Sequence, residues 1–353
     1  MYMKIPHRGT GAEKFWSVGM KHCFLINPDA GKGKKVNTLC REIERVCQAG
    51  NAEYEIFISP SAGELAAHIP QTVEKYAGET VRFYACGGDG TLSEAANGIM
   101  RLVDRSTVSL GVIPIGTGND FVRNFTGQEK FLDVGAQLNG CVRRLDLLRC
   151  NDDYAVNMVN IGFDCEVVSK TATLKAKPWV PSGFAYLLGL MITLIRKPGV
   201  DMTLSCDGGE EERHRFLLTT FANGGFCGGG FHSNPYTSPE DGHLDDLYIN
   251  DVTRRTFLSL VKSYKKGTHI RPENEKVLYN RKEDFVKMTF DRETNVSLDG
   301  EIRCVRELSL SVEKQVLPFW MPAGVGVLWQ EETAVEKKPE PLEIGVRNRE
   351  GSL

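Results

Sequence analysis

After a mixed polar stretch the chain turns apolar at residues 22–27 (HCFLIN), then meets Pro28 and a Gly/Lys turn. A short apolar run bounded by turn residues predicts a buried strand. Residues 35–49 place Leu39, Ile43 and Val46 on one helical face. Residues 54–58 alternate as a strand, and 61–76 read as a helix with Glu64 in its first turn. A strand at 81–86 runs into Gly87-Gly88-Asp89-Gly90-Thr91, followed by a helix over 92–102. A further strand at 109–113 runs into Pro114 and Gly116-Thr117-Gly118-Asn119-Asp120. This alternation predicts a parallel sheet with helices on both faces, and such sheets bind ligands beyond the C-terminal ends of their strands.

The texture changes after residue 141. Segments 143–149, 154–161, 200–206, 215–221, 244–249, 284–290 and 308–312 read as strands, punctuated by Gly, Asn and Asp. Helices are expected only around 163–174, 184–195 and 255–264. The pattern predicts a second, mostly antiparallel β domain. The expected organisation is an α/β domain over 20–141 with a return at about 314–330, a β-rich domain over 142–313, and a cleft between them. Residues 1–19 lack the apolar core of a signal peptide and read as an extension; 331–353, charged and carrying Pro339 and Pro341, read as a mobile tail.

Composition narrows the class. At 353 residues the chain has room for about two domains, and 41% hydrophobic with 25% charged residues is ordinary for a globular protein. A formal net charge of −3 gives no reason to expect a nucleic-acid partner. None of the ten cysteines is spaced CxxC, and most sit in apolar runs. That predicts reduced, buried thiols in a cytosolic protein, not a disulfide framework or a zinc site.

The chemistry is expected in the glycine loops. In Gly87–Thr91, glycines after a strand let backbone approach a ligand, and the following helix aims N–H groups at it. Asp89 would repel a bare phosphate, so an acid there fits Mg2+ or proton handling. An ordinary strand-to-helix turn also explains one such loop. The loop at 116–120 repeats the logic with two glycines, a hydroxyl and Asp120, and Arg123 follows. The segment Asn27-Pro28-Asp29-Ala30-Gly31-Lys32-Gly33 has neither the glycine spacing nor the Ser/Thr of a P-loop. Later come a Gly224–Gly230 run, Asp241-Gly242 and Asp299-Gly300-Glu301. An Asp-Gly pair is commonly a hairpin turn, which would leave Glu301 a solvated strand-edge acid.

The ordered set INPDAGKGK (26–34), GGDGTLSEAANG (87–98), IPIGTGNDFVRNF (113–125), NIGFD (160–164), SPEDGHLDD (238–246) and DGE (299–301) resembles the bacterial diacylglycerol kinase family, which includes sphingosine and ceramide kinases. The resemblance runs from about residue 22 to 320. It implies a first domain like that of NAD kinases and phosphofructokinases, and ATP-dependent transfer of a phosphoryl group to a hydroxyl of diacylglycerol or a related lipid. ATP would lie on Asn27, Pro28, Asp29, Ala30 and Gly31, on Gly88, Asp89, Gly90, Thr91, Leu92, Ser93 and Glu94, and against Thr117, with Ser59 a further nucleotide contact. Glu301 would be the general base, and Asp89 and Asp120 would hold the catalytic Mg2+ or position the substrate. A structural Mg2+ would be held by Asp241 and the backbone carbonyls of Ser238 and His243, supported by Asp146. This chain departs from the family pattern with Ser93 for Asn, Val122 for Ala, Phe231 for Met, and His243 and Asp246 within the usual DGLLDV.

Residues 184–195 (FAYLLGLMITLI) are uncharged and flanked by Lys175, Lys177, Arg196 and Lys197. The run is shorter than the roughly 20 residues that span a bilayer. A core helix is the favoured reading, with a pocket wall or interfacial helix as the alternative. Lys262, Lys265, Lys266 and Arg271 would add to a basic face. The expectation is a cytoplasmic enzyme that meets the membrane surface transiently to reach its lipid; a homodimer stays open. The rival readings are an NAD kinase sharing GGDGT, a soluble-sugar kinase of the phosphofructokinase type, and an inactive lipid-binding module.

Overall fold

The computed structural model describes residues 20–162 and 199–328. The helices expected at 163–174 and 184–195, with the basic residues flanking the latter, lie outside the described residues, as do the extension and the tail.

Strand β1 (Met20–Ile26) is apolar and buried from Cys23 to Ile26 because helices cover both of its faces. Phe24 and Ile26 pack with α1 (Val36–Gly50), whereas Cys23 and Leu25 face α2 (Glu64–Lys75) and α3 (Asp89–Met100). Strand β3 (Thr80–Gly87) divides likewise, with Phe83 and Ala85 on one side and Tyr84 and Cys86 on the other. With β2 (Glu53–Ile58) and β4 (Val108–Pro114) these strands pair in parallel in the order β2-β1-β3-β4. A short helix α4 (Val134–Leu138), capped by the Asp133 side chain, covers the α1 face.

The second half is antiparallel. It comprises β5 (Cys141–Cys150), β6 (Asp153–Ala155), β7 (Met158–Gly162), β8 (Val200–Cys206), β9 (Glu212–Ala222), β10 (Leu244–Asn250), α5 (Arg254–Lys266), β11 (Leu278–Glu283), β12 (Phe285–Leu298) and β13 (Glu301–Met321). The order β11-β10-β9-β7-β12-β13 continues into β4, with β5 and β6 branching from β13 and β8 bridging β9 and β12. The interior holds Val159, Ile161, Met202, Leu204, Phe216, Phe221, Val286 and Met288. An α/β lobe followed by an antiparallel β lobe is the architecture the residue pattern predicts.

Several elements depart from expectation. Helix α3 begins at Asp89, not at residue 92, so Asp89, Gly90 and Thr91 form a helical first turn rather than a loop, and Gly88 is the N-cap. The single strand expected at 154–161 is two, broken at Val156 and Asn157. The edge strand β11 was not anticipated. The short strands expected at 284–290 and 308–312 are parts of β12, with 14 residues, and β13, with 21. Strand β13 bends where Gln315 takes φ 53° and its pairing with β5 shifts between Glu313 and Leu317. Before the bend it pairs with β12; beyond it, Phe319 pairs with Leu110 of β4. Among the described residues the cysteines are free; Cys23, Cys47, Cys86, Cys150 and Cys227 are buried as expected, but Cys141 and Cys304 are exposed.

Candidate active site

The ends of β1, β3 and β4 bring their loops into backbone contact. The Asn27 N–H donates to the Cys86 carbonyl at 3.1 Å, and the Asn27 side chain donates to Thr91 Oγ1 at 3.2 Å. Gly31 sits at φ 58°, and a Cβ on it would lie 2.6 Å from the Ile115 carbonyl oxygen. The Gly116 N–H donates to the Gly87 carbonyl at 3.0 Å, and a Cβ on Gly116 would stand 2.5 Å from Gly88 Cα. Only glycine permits that approach. Asn119, at φ 53°, donates to the carbonyls of Pro114 and Gly116, both at 3.1 Å, and holds the second loop closed.

Asp89 heads α3, and its Oδ1 accepts the Phe121 N–H at 3.0 Å. Asp120 is 7% exposed. Its Oδ2 accepts the Gly229 N–H at 2.8 Å, and its Oδ1 lies 3.2 Å from Arg123 Nε without hydrogen-bond geometry. Burial, then the negative charge of Asp89, push the Asp120 carboxyl up to about 6 against the opposing pull of the Gly229 N–H and Arg123. Glu301, exposed at the start of β13, reaches this point from the other lobe: a Cβ on Gly90 would lie 3.5 Å from Glu301 Oε1.

Glu301 is placed by the turn before it. Asp299 and Gly300, at φ 49° and 96°, link β12 to β13 as the Asp-Gly pattern predicts. The Asp299 carboxylate also accepts N–H groups from Val156 at 2.7 Å and from Asn157 and Met158, both at 2.9 Å. Those three donors sit at the break between β6 and β7, which explains why one strand was expected and two are found.

The remaining anticipated residues divide. Leu92 and Ala30 are buried in apolar clusters. Ser93 is buried and hydrogen-bonds Asp299. Glu94 Oε1 accepts the Leu65 and Ala66 N–H groups at 2.9 and 3.3 Å and so caps α2. The Ser59 hydroxyl donates to the Ser61 carbonyl at 2.5 Å. Asp29, with its N–H on Asn27 Oδ1 at 2.9 Å, and Thr117 are exposed at the loop tips, with Pro28 half-buried. Ser238, Asp241 and His243 gather in one loop beside buried Asp146. Asp146 accepts the Gly242 N–H at 2.7 Å and the Gln315 N–H at 2.6 Å, tying the loop to the β13 bend. There the Ser238 carbonyl accepts the Asp241 N–H at 3.4 Å, and Asp241 Oδ2 lies 3.2 Å from Lys282 Nζ. Asp241 thus faces an ammonium group on one side, while the Ser238, Asp241 and His243 positions expected to hold a structural cation lie together in this loop.

The chain is similar to known proteins over most of its length. Residues 21–150 match the diacylglycerol kinase catalytic domain, and 157–321 match the YegS C-terminal NAD kinase beta sandwich-like domain. The chain belongs to the diacylglycerol kinase family of lipid kinases. A Bacillus subtilis (strain 168) protein named diacylglycerol kinase is 29% identical over 287 residues, covering 80% of this chain and 90% of its own. A Mycobacterium tuberculosis protein of the same name is 27% identical over 306 residues, 84% of this chain and 94% of its own. A diacylglycerol kinase structure from Bacillus anthracis superposes with a TM-score of 0.62 at 19% identity, over 86% of this chain and 97% of that one, and so shares its fold.

The structure also brings to the site residues that sequence reasoning gave no role. The Gly224–Gly230 run lies over the 120–124 segment: Asn124 Oδ1 accepts the Gly225 N–H at 2.7 Å, and a Cβ on Gly224 would meet Asn157 Oδ1 at 2.1 Å. The density of glycines was the available signal; their partner lies a hundred residues upstream. Asp299 carried only the signal of a turn.

Proposed function

We propose that this lipid kinase transfers the γ-phosphoryl group of ATP to a hydroxyl of diacylglycerol or a closely related lipid, giving phosphatidic acid or its counterpart. The observation that carries the reading is the convergence of Asp89, Asp120 and Glu301, from three elements, on the N-terminus of α3. Backbone N–H groups at Gly88–Gly90 and the α3 dipole favour the phosphate chain. The three glycine-bearing segments leave little side-chain bulk against it.

Asp89 and Asp120 suit a hard divalent cation. Asp120 Oδ1 is buried without a hydrogen-bond partner, beside a second carboxylate. Mg2+ bound there would neutralise charge on the transferring phosphoryl oxygens. Arg123 holds Asp120 in place by its charge. Glu301 accepts the proton of the lipid hydroxyl as the bond from that oxygen to the γ-phosphorus forms and the bond from phosphorus to the ADP oxygen breaks. A carboxylate cannot deprotonate an alcohol beforehand, so proton and phosphoryl transfers are coupled.

The acceptor lies in a bilayer, so the protein engages the membrane surface during turnover. No helix among the described residues is long and apolar enough to cross a membrane. The test is label transfer from γ-labelled ATP with Mg2+ to diacylglycerol, monoacylglycerol, phosphatidylglycerol, sphingosine and ceramide in mixed micelles, with NAD as the soluble control. Label in phosphatidic acid that disappears with Glu301→Gln supports the reading. Label in NADP and in no lipid overturns it.

A further inference from the structure

Outside the catalytic crevice, strands β8, β10 and β11 bring Cys206, Asp246 and Glu283 to one place inside the antiparallel lobe. One ligand atom from each, Cys206 Sγ and a carboxylate oxygen of Asp246 and of Glu283, lies within 4.8 Å of the others. The register explains the meeting. Asp246 pairs with Arg281 and Leu244 with Glu283, so Asp246 and Glu283 project from the same face of neighbouring strands. Cys206 pairs with Val286 on β12, a core residue of that interior.

Asp246 is completely buried, where the family pattern has an apolar residue. Its Oδ2 accepts the Tyr248 hydroxyl at 2.8 Å, but Oδ1 has no hydrogen-bond partner. A buried carboxylate oxygen left unpaired is costly, and either a proton or a bound cation relieves it. Arg281 Nη1 is 3.9 Å from Glu283 Oε1, beyond hydrogen-bonding distance. The Lys282 ammonium is held by Asp241 and Asp245 in the loop and strand outside this cluster.

We propose that Cys206, Asp246 and Glu283 form a binding site for a divalent transition-metal ion of the zinc class, distinct from the catalytic Mg2+ site. One thiolate and two carboxylates on three strands match zinc's borderline-soft preference, and a water bound with the ion would complete the tetrahedron. Tetrahedral Zn–S and Zn–O bonds of about 2.3 and 2.1 Å place ligand atoms roughly 3.6 Å apart, a contraction within reach of side-chain torsions. Three anionic ligands with the metal carry one net negative charge, which Arg281 balances. Tyr248 orients Asp246 as an outer partner. The bound ion would tie edge strand β11 to β8 across the interior.

The test loads the full chain with Zn2+ or Co2+, dialyses it, and measures metal content and the cobalt spectrum. The wild type is expected to retain about one equivalent per chain, with a thiolate-to-cobalt charge-transfer band and a raised unfolding temperature. Asp89→Asn should leave the band intact. Cys206→Ser should abolish the band and the thermal shift, and Asp246→Val should abolish retention while folding, since it restores an apolar side chain to a buried position. A band that survives Cys206→Ser, or a wild type that retains no more metal than Asp246→Val, overturns the proposal.

Discussion

The Gly229 N–H donates to Asp120 Oδ2 at 2.8 Å, so a glycine of the antiparallel lobe closes on an acid of the parallel lobe. Strand β13 makes a further such link by delivering Glu301 to Gly90. The proposed catalytic constellation exists only while both lobes hold their relative position, and the predictions below perturb it one contact at a time.

Glu301→Gln removes the proposed proton acceptor and keeps the shape. Turnover should fall by about 10²- to 10⁴-fold with the KM for ATP little changed. The side chain is exposed, so the thermal midpoint should stay put. Steady-state kinetics beside a melting curve check both; a variant with unaltered turnover removes Glu301 from the chemistry.

Asp120 titrates near 6 in the folded protein, above the ordinary carboxylate value of 3.8. Between these values the folded state holds a proton the unfolded chain has released, so stability declines as pH rises from about 4 to 6. Asp120→Asn removes the penalty. In EDTA at pH 7.5 it should be more stable than the parent by about 2–3 kcal/mol, taking 1.36 kcal/mol per pKa unit, and the gain should vanish near pH 4. Denaturant unfolding at the two pH values measures it, and phosphoryl transfer should be lost. A variant weaker than the parent at pH 7.5 would mean that the Gly229 contact outweighs the buried charge.

Gly116→Ala puts a methyl group 2.5 Å from Gly88 Cα and 2.9 Å from Gly88 N. Overpacking two backbones should cost about 1–3 kcal/mol. Displacing the phosphate-facing N–H groups by a fraction of an ångström should lower kcat/KM for ATP by on the order of 10²-fold. Nucleotide titration separates this from simple unfolding: folded protein with unchanged ATP affinity would contradict the placement of the loop.

Asp299→Asn keeps one acceptor oxygen and turns an amide NH2 toward a backbone N–H. With three N–H donors depending on this carboxylate, the loss should be about 1–3 kcal/mol. Turnover should fall with it, because Asp299 is a positioning residue for Glu301. Full activity in a destabilised Asp299→Asn protein would uncouple the turn from the site.

Much of this protein was legible in local pattern. Strand β1 is apolar at successive positions from Cys23 to Ile26 and β3 from Phe83 to Cys86, which is the signature of strands covered on both faces. The glycine-acid loops follow them directly. Hydrophobic periodicity and turn chemistry act over a few residues, so neighbours in sequence suffice to reveal them. The same locality explains the errors. Asp89 reads as loop beside three glycines, yet Gly88 caps a helix that already includes it. Glu94, placed near the nucleotide by its motif, also caps α2 through its carboxylate, a partner 29 residues upstream that no local pattern announces.

The sequence by itself therefore determined the two lobes, the glycine-rich strand ends and the acids Asp89 and Asp120, because each is written in contiguous residues. Tertiary structure decided the rest. Glu301 reaches Gly90, Asp299 gathers three N–H groups of a distant strand break, and Cys206, Asp246 and Glu283 meet through the register of separate strands. Long-range strand pairing sets which of many polar residues face one another, and no local pattern encodes that choice.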